Sequence, residues 1–254
     1  MTRFRFAPTL ALTTSLLGAP AVAGDITEMT EEGRAVFREE VRAYLLDNPE
    51  VLMEAIGVLE RRQAEEQVAG DASLVATNAK ALFEDGYSHV GGNPEGDVTI
   101  VEFVDYRCGY CRKAFPELQS MVEADGNIRV IYKEFPILGA DSIVSARFAM
   151  ATQIIAGEDG YALVHDELMT LRGNPTEETL VKLANDLDLD GAAILAAMDD
   201  PKVEARISEN HALADRLQIS GTPTFVIGQQ MVRGYVPLDG MVELVQDVRM
   251  KSDG

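Results

Sequence analysis

The sequence predicts an α/β fold preceded by a helical arm, and three observations carry that prediction. Val98–Val104 (VTIVEFV) is β-branched, aromatic and almost continuously apolar, the composition of a central strand buried on both faces. Residues 112–122 follow with Ala114, Phe115, Leu118 and Val122 at helical spacing, so a strand runs straight into a helix. Further on, a strand, a block of helices, two short strands and a closing helix succeed one another, whereas Glu31 to about Phe83 carries helical periodicity alone.

Taken in order, residues 1–23 form an export signal: Arg3 and Arg5, an apolar run from Ala7 to Gly18, then small residues at Ala21 and Ala23. No later segment is apolar for the 18 or so residues a membrane span needs, so a periplasmic protein cleaved near Ala23 is expected. Glu31–Asp47 is amphipathic, with Phe37, Val41, Tyr44 and Leu45 opposite Arg34, Glu39, Glu40 and Arg42. Asn48-Pro49 restarts the helix, since Asn suits a cap and Pro a first helical position. Leu52, Ile56 and Leu59 extend the seam, and the pattern stays helical to about Phe83, with Gly70 as a possible bend. Gln63 and Glu66 fall where further heptads would want apolar residues. Residues 24–85 are therefore expected to be an arm for self-association, folding back onto its own globular domain being the alternative.

Residues 86–97, rich in Gly, Asn and Pro, mark entry into a second domain at 86–254. Residues 127–134 read as a strand with Ile128, Val130 and Tyr132 on one face. Segments 142–156, 161–171, 177–187, 191–198 and 203–217 read as helices, a helical insertion at about 140–218. A turn at 221–223 feeds a strand to Gly228, 231–234 is its hairpin partner, and 238–248 is the closing helix.

With 42 acidic and 22 basic side chains the net charge is −20, which argues against nucleic acid and anionic membrane surfaces as partners. Asp186 to Gly191 imitates the start of a calcium loop, but its twelfth position is Ala197, so Asp190 is read as a helix cap. His165 and His211 have no ligand-type neighbour in sequence and are assigned to packing or surface. No metal site and no cofactor is expected.

The chemistry lies in Cys108 and Cys111, the only cysteines, spaced Cys-x-x-Cys where the strand ends and the helix begins. Unpaired N–H groups and the positive end of the dipole favour a thiolate there, so Cys108 is the attacking sulfur. Cys111, three residues on and so adjacent on a helix, resolves the mixed disulfide. Structural zinc lacks a second ligand pair. Cu(I) on the two thiolates is the alternative function, and a structural disulfide closing so short a loop would stabilise little.

These residues, with the helical insertion and the later Thr222-Pro223 before a hairpin, resemble the DsbA-like branch of the thioredoxin superfamily over roughly residues 87–248. The amino-terminal helices, with Leu46-Asp47-Asn48-Pro49-Glu50, resemble those of the suppressor of copper sensitivity C proteins. The resemblance implies a thioredoxin-like fold with an inserted helical subdomain, and a thiol:disulfide oxidoreductase, isomerase or oxidase, acting on protein cysteines. It also implies a membrane redox partner and a trimer in some members. Pro223 is implied to be cis against the cysteines and Thr222 to pair with the substrate backbone, making Thr222, Pro223, Gly109 and Tyr110 the substrate-binding residues. Glu102 occupies the position of a buried acid, where desolvation would raise its pKa and let it exchange a proton with Cys111. Gly109-Tyr110 supplies no imidazole between the cysteines, unlike the Pro-His of DsbA itself. A threonine before the cis proline is similar to members that isomerise or reduce disulfides.

Overall fold

The computed structural model describes residues 29–252; the expected signal at 1–23 lies outside them. The described residues divide into two units, one ending at Arg61 and one beginning at Arg62.

In the first unit α1 (Glu31–Asp47) starts where the Thr30 hydroxyl accepts the Gly33 N–H at 3.1 Å, with Glu31 and Glu32 placed to complement the helix dipole. It stops at Asn48, whose backbone N–H and side-chain amide both donate to the Tyr44 carbonyl. The helix buries none of its residues, and Phe37, Val41 and Tyr44 are all exposed. Next, α2 (Glu50–Thr77) passes through Gly70 without interruption. The break comes instead at Asn78, whose amide satisfies the Leu74 carbonyl before α3 (Ala79–Phe83) begins. A polar side chain able to take over a terminal carbonyl ends a helix more effectively than one glycine within it.

The second unit is built on a five-stranded mixed sheet ordered β1-β3-β2-β4-β5, with β1 His89–Gly92, β2 Val98–Val104, β3 Ile128–Glu134, β4 Thr224–Ile227 and β5 Gln230–Arg233. β2 and β3 run parallel, and the other pairings are antiparallel. β1 falls inside the stretch read as a connection. It exists because β3 supplies an edge, and Gly92, at φ +67, lets the backbone approach so closely that a Cβ there would lie 2.4 Å from the Ile128 carbonyl. β3 is buried on both faces, since Ile128 and Val130 pack on one side of the sheet with the helix after β2 and the closing helix, and Ile131 packs on the other with Leu82 and Leu213.

Around the sheet, α4 (Gly109–Asp125) and α9 (Leu238–Ser252) cover one face over Val98, Ile100, Ile128 and Val130. Leu82 of α3 and Leu213 of α8 (Pro201–Arg216) cover the other over Val101, Phe103 and Ile131. Between β3 and β4 lie α5 (Ala140–Thr170), α6 (Glu177–Asp186), α7 (Gly191–Ala197) and α8, with a core of their own that reaches Val104, Cys108 and Cys111. Two helices were expected where α5 runs; it is a pair joined across Gly157, whose φ of 74 breaks the helical backbone. Asp190 is a cap, its carboxylate accepting the Ala193 N–H at 2.9 Å. The architecture is the expected α/β thioredoxin-like fold with helices 31–77 before the domain.

Candidate active site

β2 delivers the chain to the site and Asp105 fixes the turn that follows. Its buried carboxylate accepts backbone N–H groups from Arg107 (2.8 Å), Ile137 (2.8 Å) and Leu138 (3.1 Å). Cys108 is then the N-cap of α4, and its sulfur accepts the Cys111 N–H at 3.5 Å. Buried Ala114, Phe115 and Leu118 anchor the helix below. Cys108 retains 6% exposure and Cys111 none, so only the first sulfur is open to solvent.

Across the site the Thr222–Pro223 peptide is cis. As a thiol, Cys108 donates to the Thr222 carbonyl at 3.2 Å. The loop is held on both sides, by Thr224 Oγ1 donating to the Gly221 carbonyl (2.8 Å) and by Gly234 N–H donating to the Pro223 carbonyl (2.9 Å). Gly109 and Tyr110 stand exposed beside it.

Electrostatically the two cysteines are driven apart. The Cys111 thiol donating to Cys108, together with the Thr222 side chain and the backbone N–H groups of Cys111 and Tyr110, lowers the Cys108 pKa to about 5 against the opposing effect of burial. Cys111 is pushed far up, first by that same hydrogen bond, then by burial and by the charge of Glu102. Glu102 lies on the central strand, paired with Tyr132 of β3 and Phe225 of β4, rather than on an edge in water. It is fully buried, and neither carboxyl oxygen has a hydrogen-bond partner among the described residues. Burial, then the charges of Cys108 and Glu134, push it up to about 8. The structure thus brings together Cys108, Cys111, Glu102, Thr222 and Pro223, with Gly109 and Tyr110 at the rim.

Two features lie beyond the sequence reading. Glu134, two residues past the strand partner of Glu102, accepts hydrogen bonds from the Tyr106 and Tyr161 hydroxyls, each at 2.6 Å. Burial pushes it up to about 8 and takes His165, 2.9 Å from the Tyr106 hydroxyl, down to about 3, so the imidazole there is neutral. Only the placement of Glu134 in a strand so rich in apolar residues could have signalled it. The second is Tyr235, which stacks on Tyr110 with centroids 6.1 Å apart, carries the Lys113 ammonium 4.2 Å from its ring centre, and donates its hydroxyl to Glu117. Nothing local joins residues so far apart in sequence. Among the described residues no cluster of three or more metal-ligating side chains occurs.

A mixed sheet whose central strand runs into a Cys-x-x-Cys at a helix start, faced by a cis-proline loop, defines the thioredoxin class. Residues 99–246 match the DSBA-like thioredoxin domain, more than half of the chain. The chain belongs to the DSBA-like thioredoxin domain family, a family of thiol–disulfide oxidoreductases. Residues 34–66 match the copper resistance protein ScsC N-terminal domain. A thioredoxin-like oxidoreductase from Silicibacter pomeroyi DSS-3 has a similar structure (TM-score 0.63, 40% identity), covering 67% of this chain and 97% of that one. Disulfide bond formation protein D of Bacillus subtilis is 20% identical over 167 residues, 61% of this chain and 74% of that one. Similarity also extends to Na(+)/H(+) antiporter NhaA 1 of Salinispora arenicola, 30% identical over 154 residues, 60% of this chain; the match spans 23% of the antiporter's length.

Proposed function

We propose that the chain catalyses thiol–disulfide exchange on protein cysteines, with Cys108 as nucleophile and Cys111 as resolving thiol. The observation that carries this is the unequal pair: a capped, solvent-reachable Cys108 sulfur against the Thr222–Pro223 loop, and a sealed Cys111 beneath it. The Cys108 thiolate attacks a substrate disulfide, forming one S–S bond and breaking another, and the departing substrate sulfur takes up a proton. Cys111, its proton passing to the ionised Glu102 carboxylate, then attacks Cys108, releasing the second substrate sulfur as a thiol and closing the Cys108–Cys111 disulfide. The substrate gains two electrons and the cysteine pair loses two. Run backwards, the same steps oxidise a substrate dithiol, and in isomerisation a different substrate thiolate attacks the mixed disulfide, forming a new substrate S–S bond and expelling the Cys108 thiolate. Thr222 and Pro223 orient the substrate chain while Gly109 and Tyr110 border it.

Refolding of scrambled ribonuclease tests the reading: the parent should restore activity and Cys108→Ser should not. A Cys108→Ser protein as active as the parent would refute it. Equilibration against glutathione fixes the direction of exchange, and a membrane redox partner would return the pair to its working state.

The signal pattern at 1–23 supports export to the periplasm. Residues 24–85 serve as an arm through which copies, three in the family-based reading, assemble, and 86–254 as the catalytic domain. The unburied apolar residues of α1 support the arm. Deleting 25–70 should give a monomer, by sedimentation, that keeps exchange chemistry and loses isomerase action; an intact oligomer would contradict this. A second reading, Cu(I) held between the two thiolates, draws on the copper-resistance description matched at 34–66. It requires a Cu(I) affinity that disappears when both cysteines are replaced.

A further inference from the structure

Although acidic residues outnumber basic ones 42 to 22, the segment 107–113 around the cysteines carries Arg107, Arg112 and Lys113 and no acid. Arg112 donates through Nε to the Met169 carbonyl at 2.8 Å and through a terminal nitrogen to the Leu171 carbonyl. Arg107 donates to the Gly173 carbonyl at 2.9 Å. The loop closing α5 therefore draws both guanidinium groups to the side of the site where exposed Arg172 stands. The three are close enough for Arg107 and Arg172 to depress the pKa of Arg112, after the larger effect of burial.

Neutral carbonyls orient these groups but leave their charge in place. Among the described residues Arg112 and Arg172 form no ion pair, and Arg107 meets only Asp141, at 3.9 Å. Asp105, the other acid of this turn, is already committed to three backbone N–H groups. Capping the last turn of α5 accounts for one guanidinium. It does not account for three like charges gathered in a chain with a large surplus of carboxylates. Nor are they the main support of the nucleophile, because the largest effects that lower the Cys108 pKa are hydrogen bonds from Cys111, Thr222 and Tyr110. Their field is left for whatever approaches Cys108, and salt screening at about 10 Å in 0.1 M solution separates that field from the acidic surface farther off.

We propose that Arg107, Arg112 and Arg172 form a carboxylate-binding rim, and that the polypeptide segments this site takes are acidic beside their reactive cysteine. The proposal rests on the thiol-exchange reading of the site and names its substrate class. Three disulfide-bearing peptides, identical except for Glu, Gln or Lys at the positions flanking the cysteine, test it with the reduced full chain. Each rate of mixed-disulfide formation is divided by that peptide's rate with a small uncharged thiol. The expected Glu-to-Gln ratio is roughly five to twenty at low ionic strength, with Lys slower than Gln and all ratios approaching one near 1 M salt. Replacing Arg107→Gln and Arg172→Gln together should cut the Glu advantage at least threefold. Should that variant fail to fold, the salt dependence with the parent chain decides. A parent ratio near one, or a preference for Lys, overturns the proposal. If the Gln peptide still reacts in a Cys108-dependent way, the exchange reading survives that failure. A Cys108→Ser chain reacting with the Gln peptide as fast as the parent brings down the exchange reading itself.

Discussion

Replacing Glu102 by glutamine removes one titrating carboxyl from the middle of β2 while keeping its shape, and the consequence can be worked out. Folded, the carboxyl keeps its proton up to about pH 8; its ordinary value is 4.5. Between these limits the native chain binds more protons than the unfolded one, so stability falls as pH rises. The contribution is intact below pH 4.5 and is lost progressively on the way to pH 8. Integrated over both titrations, the parent should lose about 3.5 kcal/mol between pH 5 and pH 8 on account of this group. Glutamine has no such titration. Its buried amide, as unpartnered as the carboxyl it replaces, costs about 1–3 kcal/mol at every pH, so the diagnostic quantity is the slope and not the offset. Urea denaturation of both reduced chains at several pH values reads that slope, and the titrations of Glu134 and the cysteines, common to both chains, largely cancel. The Glu102→Gln curve should be flatter by about 3.5 kcal/mol over this interval. Parallel curves for the two chains would mean that burial leaves the Glu102 carboxyl at its ordinary value, too weak a base to take the Cys111 proton, and the proton-relay argument would fail with it.

Alkylation of Cys108 should show its midpoint near pH 5, and Cys111→Ala, which removes the largest donor to the thiolate, should move that midpoint upward; an unmoved midpoint contradicts the geometry. Because this pKa is depressed, the reduced chain gains stability from Cys108 as pH rises above 5, and loses it again on acidification, which thermal melts across pH 4–9 would register. Buried Lys133 is held by the Asp85 carboxylate at 2.5 Å and the Ala81 carbonyl at 2.8 Å. Asp85→Asn should cost about 3–5 kcal/mol in urea denaturation, and adding Lys133→Met should recover most of it. Asp71 accepts both arms of Arg233, at 2.5 and 2.9 Å, tying the end of α2 to β5, so Asp71→Ala should cost about 1–3 kcal/mol by the same measurement.

Much of this fold is legible locally, for reasons visible in particular residues. The apolar run of β2 and the spacing of Ala114, Phe115 and Leu118 place strand and helix on either side of Cys108, because a doubly buried strand and a half-buried helix each demand a distinct pattern of side chains. β1 was missed for the opposite reason: two of its four residues are glycine, and its identity comes from pairing with β3. Intrinsic propensity marks Gly70 as a place where the helix can bend, yet α2 runs through it, and the amide that ends the helix at Asn78 acts through a hydrogen bond that no propensity marks.

What the sequence determined by itself is the chemistry on offer: two sulfurs three residues apart at the start of a helix, an acid inside an apolar strand and a threonine–proline turn. Those are properties of neighbours along the chain, and covalent connection fixes them. Only the tertiary structure decided that Thr222 meets Cys108, that Glu134 shares the buried space near Glu102, and that three arginines gather beside the cysteine pair. Such meetings join segments up to 114 residues apart, and no local pattern encodes them; they arise from how helices pack on a sheet, where burial sets each charge and each proton.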